Sequence, residues 1–249
     1  METKNQVIET LNNHVTVRNF SSEAISDEIL NSILEASRRS PTGSNLQAYS
    51  IIVVKNAETK KKLAVLSGNQ KHVEDCPVFL AFCADISRIE IASKINNRKL
   101  AKGLELTVVS TVDTAIVGMS ANTAAESYGL GVVMIGGIRN DPKAVSELLN
   151  LPKGAYVVYG MCIGYPKDGI LPAQKPRMAK ELIIHNEVYD ASKAEELVKE
   201  YDLELAKHYD KMGINQADKA WSEPISKKLE TVRRANLKND LEDLGFVLD

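Results

Sequence analysis

Residues that could carry positive charge stand out at two places, one near the start of the chain and one far downstream. His14 and Arg18 follow a predicted first helix, and Lys175 and Arg177 flank a proline in a segment predicted to be extended. Because alternate residues of an extended segment point to the same side, both cations can face one anion. A planar guanidinium and a compact ammonium together suit a phosphate dianion. A solvated Lys-Pro-Arg turn and a capping or buried His14 are the alternatives.

Two loops could hold a flat polar ligand. Residues 40–47 form a predicted turn between a helix and a strand and are rich in hydroxyl and amide groups. Met134, Ile135, Gly136 and Gly137 end a predicted strand. Glycine at that position allows unusual backbone angles or lets a ring approach the backbone closely. An ordinary polar turn and an ordinary strand end are the alternatives.

The usual catalytic motifs are missing from the sequence. Gly129-Leu130-Gly131 precedes a strand, whereas a dinucleotide-binding fingerprint follows a strand and opens a helix. There is no Walker A, HExxH or GxSxG motif, and the four histidines lack metal-ligand spacing. Three cysteines, odd in number and far apart, predict buried thiols rather than a disulfide framework or a zinc cluster. We therefore predict no catalytic side chain, no metal, and chemistry that a cofactor carries.

The hydrophobic pattern predicts the elements that position these loops. Helices are predicted near residues 3–13, from a Ser26 cap to residue 39, over 57–66, and from Asp141-Pro142; strands are predicted over 49–55, 78–85, 131–135 and 155–164. Residues 103–128 are apolar on most of their circumference, which predicts a long helix, buried nearly all round and ended by Gly129. Helical ends and a buried central helix favour an α+β fold over a doubly wound sheet.

Composition limits the partners and the compartment. The chain has 249 residues, 44% of them hydrophobic, and a net charge of −2. So small a charge gives no general attraction to nucleic acid or to anionic membranes. The polar N-terminal segment does not resemble a signal peptide, and acidic residues interrupt the apolar stretch over 104–128. We predict a cytoplasmic protein that binds neither nucleic acid nor membrane.

Seven motifs, in their order and spacing, resemble the nitroreductase superfamily. They are His14-Val-Thr-Val-Arg18, the turn ending in Leu46-Gln47, Gly68-Asn-Gln-Lys-His-Val73, Ala124-Ala-Glu-Ser-Tyr-Gly-Leu-Gly131, Ile135-Gly-Gly-Ile-Arg-Asn140, Lys175-Pro-Arg177 and Trp221-Ser222. The resemblance covers residues 5–247. Within the superfamily, the chain is similar to NADPH-linked flavin and nitro-reductases that have a long helical C-terminal extension.

The resemblance implies a nitroreductase-like α+β fold with a mixed or antiparallel sheet flanked by helices. It implies one domain over residues 1–249, in which 1–185 form the core and 186–249 a helical extension that packs on the partner subunit of a homodimer. Two FMN molecules would bind at the subunit interface, with Gln70 at the polar edge of the ring. The implied FMN-binding residues are His14, Val15, Thr16, Arg18, Gln70, Met134, Ile135, Gly136, Gly137, Lys175 and Arg177, with Thr42, Gly43 and Ser44 from the partner subunit.

The implied reaction is carried by the cofactor. Hydride passes from NADPH or NADH to flavin N5, and then to a quinone, nitroaromatic, flavin or similar acceptor by a ping-pong mechanism. Positively charged groups around the flavin stabilise its anionic reduced form. A non-catalytic protein that stores or senses FMN is the alternative. Dehalogenation or flavin fragmentation on the same fold is a third hypothesis.

The chain departs from the pattern of its relatives at two places. Val15 stands where an arginine is usual, which removes one cation from the phosphate site. Met212 and Ala217 stand where relatives place arginines for the 2′-phosphate of NADPH, leaving Lys211 and Lys219 as the nearby cations. The sequence therefore predicts NADH use or weak discrimination between the two nucleotides.

Overall fold

The computed structural model describes residues 5–214 and 221–249 of the chain. The chain divides into two compact units. The first comprises the residues up to Pro172 together with Arg234–Asp249, and the second comprises Ala173–Arg233. The single domain with a division at residues 185 and 186 stays a prediction.

In the described residues, one or two α-helices separate successive strands, and four α-helices follow the last strand. The helices are α1 Gln6–Asn12, α2 Asp27–Arg38, α3 Ala57–Leu66, α4 Lys71–Asp75, α5 Ser87–Ile95, α6 Leu104–Ser127, α7 Pro142–Leu148, α8 Lys180–Ile183, α9 Ala194–Lys211, α10 Ser222–Leu229 and α11 Leu237–Asp243. The strands are β1 Tyr49–Val54, β2 Val78–Asp85, β3 Gly131–Ile135 and β4 Ala155–Gly164. Helices α8, α9 and α10 lie in the second unit, and the sheet lies in the first.

The four strands form one sheet in the order β1-β2-β4-β3, and every neighbouring pair is antiparallel. Each residue of β2 is buried, and successive side chains point to opposite faces. Phe79, Ala81 and Cys83 join one hydrophobic cluster, and Val78, Leu80 and Phe82 join another. Residues of α3, α4 and α7 complete the first cluster, and residues of α2 and α6 complete the second. The predicted α+β fold is confirmed, with a purely antiparallel sheet.

Short-range signals in the sequence set several helix ends as predicted. The Ser26 side chain caps α2 by accepting a hydrogen bond from the Ile29 N–H group. Asp141 caps α7 in the same way, and Pro142 takes the first helical position. Gly129 follows α6 with φ of 74°, a left-handed conformation that glycine adopts without strain.

The prediction that α6 is buried nearly all round is wrong for the described chain. Leu104, Val108, Val112, Ile116 and Met119, which we call the exposed stripe, are each 37–50% exposed. Their spacing of three or four residues puts them on one face of the helix. The sheet and α2 cover only the opposite side, where Val117 and Ala121 are buried. The sequence pattern did not reveal this arrangement because the large apolar residues of α6 lie on its outer side, and mostly small and polar residues lie on its inner side.

Within the described residues, α6 is the only helix long and apolar enough to cross a membrane. Its inner side, however, carries buried polar residues, among them Thr107, Ser110, Asp113 and Asn122. The Thr114 side chain donates a hydrogen bond to the Cys83 carbonyl of β2. The helix is therefore an element of the protein core, as the sequence predicts.

Residues 14–18 run beside the outer edge of β3 and depend on a glycine there. The Val17 N–H group donates to the Val132 carbonyl at 2.9 Å. A Cβ atom on Gly131 would lie 2.6 Å from Cβ of Val17. No real side chains approach so closely, so any larger residue at 131 must displace this segment.

We predict that Gly131→Ala lowers the free energy of unfolding by roughly 1–3 kcal/mol, because the added methyl group overlaps Val17. Urea denaturation of both proteins measures the difference. Gly103→Ala is the matched control, since its Cβ atom would meet only the Asp249 carbonyl oxygen, at 3.8 Å. Equal stability of Gly131→Ala and the wild-type protein would contradict the packing described for residues 14–18.

Candidate cofactor site

His14 is held by a carboxylate from α6. The His14 Nδ1 atom lies 2.5 Å from Oε1 of Glu126, whose side chain is 11% exposed. An ionised carboxylate only accepts, so Nδ1 carries the proton of this hydrogen bond. The Asn122 amide donates to the other oxygen, Oε2, at 2.8 Å. Glu126 thereby fixes the orientation of the imidazole. It lies in the Ala124–Gly131 motif, but the sequence did not predict this role.

Gln70 and Gly137 meet at a tight contact between two loops. The Gln70 side-chain amide donates to the Ser67 carbonyl at 2.7 Å. A Cβ atom on Gly137 would lie 2.2 Å from that carbonyl oxygen and 2.5 Å from Nε2 of Gln70. Contacts within the protein therefore require glycine at position 137, whether or not a ligand also approaches it. This contact brings two of the predicted site residues together.

The end of β3 is fixed by an arginine from the C-terminal part of the chain. Met134 is 41% exposed between buried neighbours, and Gly136 begins the 3-10 helix Gly136–Asn140. The Arg234 guanidinium donates to the Gly136 carbonyl and to the Asn140 side chain, both at 3.1 Å. Arg234 lies almost 100 residues away, and the sequence pattern offered no signal for this pairing.

His72, a residue of the Gly68–Val73 motif, lies close to Arg18. Its Nε2 atom is buried and has no hydrogen-bond partner among the described residues. Burial lowers the pKa of His72, the Arg18 guanidinium lowers it further, and Asp75 opposes these effects. The imidazole is therefore neutral at pH 7. Buried polar atoms are nearly always satisfied, so this atom points to a missing acceptor or donor.

Residues 42–48, which we call the 42–48 loop, have a strained backbone. Ser44, Asn45 and Gln47 have φ values of 47°, 57° and 49°. Left-handed conformations in residues other than glycine cost roughly 1 kcal/mol or more each, and they persist where neighbouring contacts impose them. The Gly43 and Ala48 N–H groups donate to the carboxylate of Asp113, at 2.8 and 3.4 Å. The loop is therefore held against α6.

Thr42, Gly43 and Ser44 do not lie near His14 within one chain. Their anchor, Asp113, and the anchor of His14, Glu126, are both residues of α6. Thirteen residues of an α-helix span about 20 Å. The first unit thus presents two separate groups of predicted site residues, one held near the C-terminal end of α6 and one near its middle.

The remaining predicted residues belong to the second unit or lie outside the described residues. Lys175 and Arg177 are exposed, and Nζ of Lys175 donates to the Tyr209 hydroxyl at 2.8 Å. The Arg177 guanidinium donates to the Lys175 carbonyl at 3.0 Å. Lys211 ends α9 and is exposed, whereas Lys219 lies outside the described residues.

The three cysteines are free and buried, as the sequence predicts. Burial raises the pKa of Cys83 to about 12 and raises that of Cys162 further. Thiols with such high pKa values are not nucleophiles at neutral pH. No cluster of His, Cys, Asp or Glu in residues 5–214 and 221–249 has the arrangement of a metal site.

Comparison with known proteins gives matches over nearly the whole chain. The model of the nitroreductase family matches residues 11–165, and that of the nitroreductase family C-terminal domain matches residues 175–249. The oxygen-insensitive NADPH nitroreductase of Salmonella typhimurium is 40% identical over 96% of this chain and 97% of its own length. The NAD(P)H FMN reductase of Bacillus subtilis is 34% identical over 98% of this chain and 99% of its own length. The solved structure of B. megaterium NfrA2 has a TM-score of 0.94 and 37% identity, and covers 99% of this chain and 100% of its own.

Proposed function

This chain belongs to the nitroreductase family, and on that basis we propose that it is an FMN-dependent NAD(P)H oxidoreductase that reduces flavins and nitro compounds. Full-length relatives named as an FMN reductase and an NADPH nitroreductase support the proposal. The observation that carries it is the group formed beside β3 by Arg18, Gln70, His72 and Gly137. This group combines a cationic donor and an amide donor with Gly137, where no side chain fits.

The donors beside β3 fit the phosphate of FMN. Arg18 supplies an exposed guanidinium, and His14 is held in place by Glu126. The buried Nε2 atom of His72 lacks a partner, and a phosphate oxygen would accept its hydrogen bond. Because His72 is neutral, it adds a donor without a second positive charge beside Arg18. Val15 and Thr16 are the other proposed contacts in this unit, and Lys175 and Arg177 stay predicted phosphate ligands.

The loop contact between Gln70 and Gly137 fits the ring. Gln70, fixed by the Ser67 carbonyl, would bind the polar edge of the isoalloxazine, and Met134, Ile135, Gly136 and Gly137 would border it. When bound, FMN supplies reversible hydride transfer at its N5 atom. The chain's part is to hold the ring, to place positive charge near it, and to leave one face open to nucleotide and acceptor.

The site is proposed to form between two copies of the chain. Thr42, Gly43 and Ser44 lie too far from His14 within one chain, so a homodimer would bring them to the partner's FMN. The exposed stripe supplies the apolar contact surface for the dimer. Beside it lies an open groove of about 770 Å³ between α1, α2 and α6, lined in part by Leu11 and Met119. The helical extension over 186–249 would pack on the partner.

The proposed electron donor is NADH or NADPH with little discrimination. Met212, at the end of α9, is 44% exposed and carries no charge for a 2′-phosphate. Lys211 and Lys219 are the proposed cations near the nucleotide. The acceptors are small molecules such as quinones, nitroaromatics and free flavins, and we propose that the protein acts in the cytoplasm.

Replacing His72 by phenylalanine should weaken FMN binding about tenfold, because one hydrogen bond to a charged group is lost. Riboflavin, which lacks the phosphate, should bind the variant and the wild-type protein equally well. Fluorescence titration of apoprotein with each flavin measures both dissociation constants. His185→Phe in the second unit is the control and should change neither. Equal losses for both flavins would mean that His72 only supports the local fold.

Anaerobic stopped-flow mixing with NADH and with NADPH tests the proposed reaction. We expect either nucleotide to bleach the visible flavin absorbance, at comparable rates. Met212→Arg should favour NADPH over NADH by about tenfold, because the guanidinium can pair with the 2′-phosphate. A bound flavin that neither nucleotide reduces would support FMN storage instead. Protein that cannot be reconstituted with FMN would exclude both functions.

Introducing glutamate at both Val112 and Ile116 should convert the dimer to a monomer that no longer retains FMN. Two carboxylates would be buried without partners in the proposed interface, at a cost that prevents association. Analytical ultracentrifugation gives the mass, and the absorbance of the purified protein gives the FMN content. Ile95→Glu, an exposed apolar position on α5, is the control and should stay dimeric. A double variant that remains dimeric would place the interface elsewhere.

A further inference from the structure

Asp113 is a carboxylate in the protein core whose hydrogen bonds go to one loop. The residue is 1% exposed and lies in the middle of α6. Its Oδ1 atom accepts from the Gly43 N–H group at 2.8 Å, and its Oδ2 atom accepts from the Ala48 N–H group at 3.4 Å. A buried charge is tolerated only when its oxygens are satisfied in this way. The side chain therefore joins the two ends of the 42–48 loop.

The loop needs this support at its N-terminal end. Its C-terminal end has other anchors: the Ala48 carbonyl accepts from the Asp85 N–H group and the Gln47 carbonyl accepts from Arg88, both at 3.0 Å. At Gly43, the contact with α6 is close, since a Cβ atom there would lie 3.1 Å from Cγ1 of Val109. Loss of the carboxylate would remove the side-chain link between Gly43 and α6. The Thr42 and Gly43 carbonyls would still accept from Asn45 and Leu46 within the loop.

Asp113 also links the loop to the proposed dimer interface. The next residue before it on α6 is Val112, a member of the exposed stripe. Asp113 faces inward from the same helical turn.

We propose that Asp113 is a positioning residue that holds Thr42, Gly43 and Ser44 in the conformation in which they contact the FMN of the partner subunit. The inference rests on the proposed function and on the proposed dimer. It makes the affinity of each flavin site depend on a buried carboxylate of the opposite chain.

The first test compares homodimers. Asp113→Asn keeps the shape of the side chain but sets an amide N–H group against a backbone N–H group, and should weaken FMN binding about tenfold or more. Asp113→Glu keeps the charge and moves it by one methylene, and should also weaken binding; it carries the test if the asparagine variant does not fold. Thr114→Val is the matched control. It removes a buried hydrogen bond from the same helix to Cys83 and should leave FMN affinity unchanged.

The second test uses mixed dimers with differently tagged chains. In the trans arrangement, one chain carries Asp113→Asn and the other Arg18→Gln. In the cis arrangement, one chain carries both changes and the other is wild-type. If Asp113 serves the partner's site, the trans dimer keeps one intact site and the cis dimer keeps none. We expect each trans dimer to bind one FMN with wild-type affinity. We expect each cis dimer to bind no FMN with wild-type affinity.

Two results would overturn the inference. Wild-type FMN affinity in the Asp113→Asn homodimer would show that the carboxylate does not position the loop. One intact site in the cis dimer and none in the trans dimer would show that Asp113 serves its own chain. A wild-type protein that is monomeric or does not bind FMN would instead refute the proposed function, so the two failures are distinguishable.

Discussion

Helix α6 carries apolar side chains on two sides, and the sheet and α2 cover only one of them. On that side, packing is close enough that a Cβ atom on Gly118 would lie 1.6 Å from the Tyr159 hydroxyl oxygen. On the other side, the exposed stripe leaves five large apolar side chains in water. Burial of such a surface is strongly favourable. The proposed dimer follows from this constraint, because a second copy presents the same stripe.

The same helix supports both groups of predicted site residues. Glu126 orients His14 near one end, and Asp113 holds the 42–48 loop nearer the other. Each carboxylate is tolerated in or near the core because its oxygens accept hydrogen bonds. The rise of the helix fixes the distance between them, so α6 acts as a rigid spacer. This separation supports the proposal that a site that needs both groups is assembled from two chains.

Much of the fold could be predicted because its signals are local. Ser26, Asp141 and Gly129 act on groups within a few residues of themselves, and the apolar run of β2 is continuous. Helix α5 was not predicted, and it has no capping side chain at its N-terminus. Pattern alone also could not distinguish the inner side of α6 from the outer.

The sequence predicted the residues of the candidate site, but it did not predict the residues that hold them in position. The predicted residues around Gln70 and Gly137 do meet, yet their contact depends on backbone atoms of Ser67. His14 and Glu126 are 112 residues apart in sequence, and Asp113 and Gly43 are 70 apart. Pairings of this length leave no periodic signal in a single sequence. The side chains of the site could be identified from the sequence, whereas the residues that anchor them could be identified only from the structure.

The burial of all three thiols has a consequence for the durability of a flavin enzyme. Oxygen that takes electrons from a reduced flavin yields peroxide, which attacks thiolates far faster than thiols. Cys83 and Cys162 stay protonated at neutral pH because burial raises their pKa, and Cys76 is likewise inaccessible. Burial of this kind would protect the cysteine side chains of a flavin enzyme from peroxide formed in air.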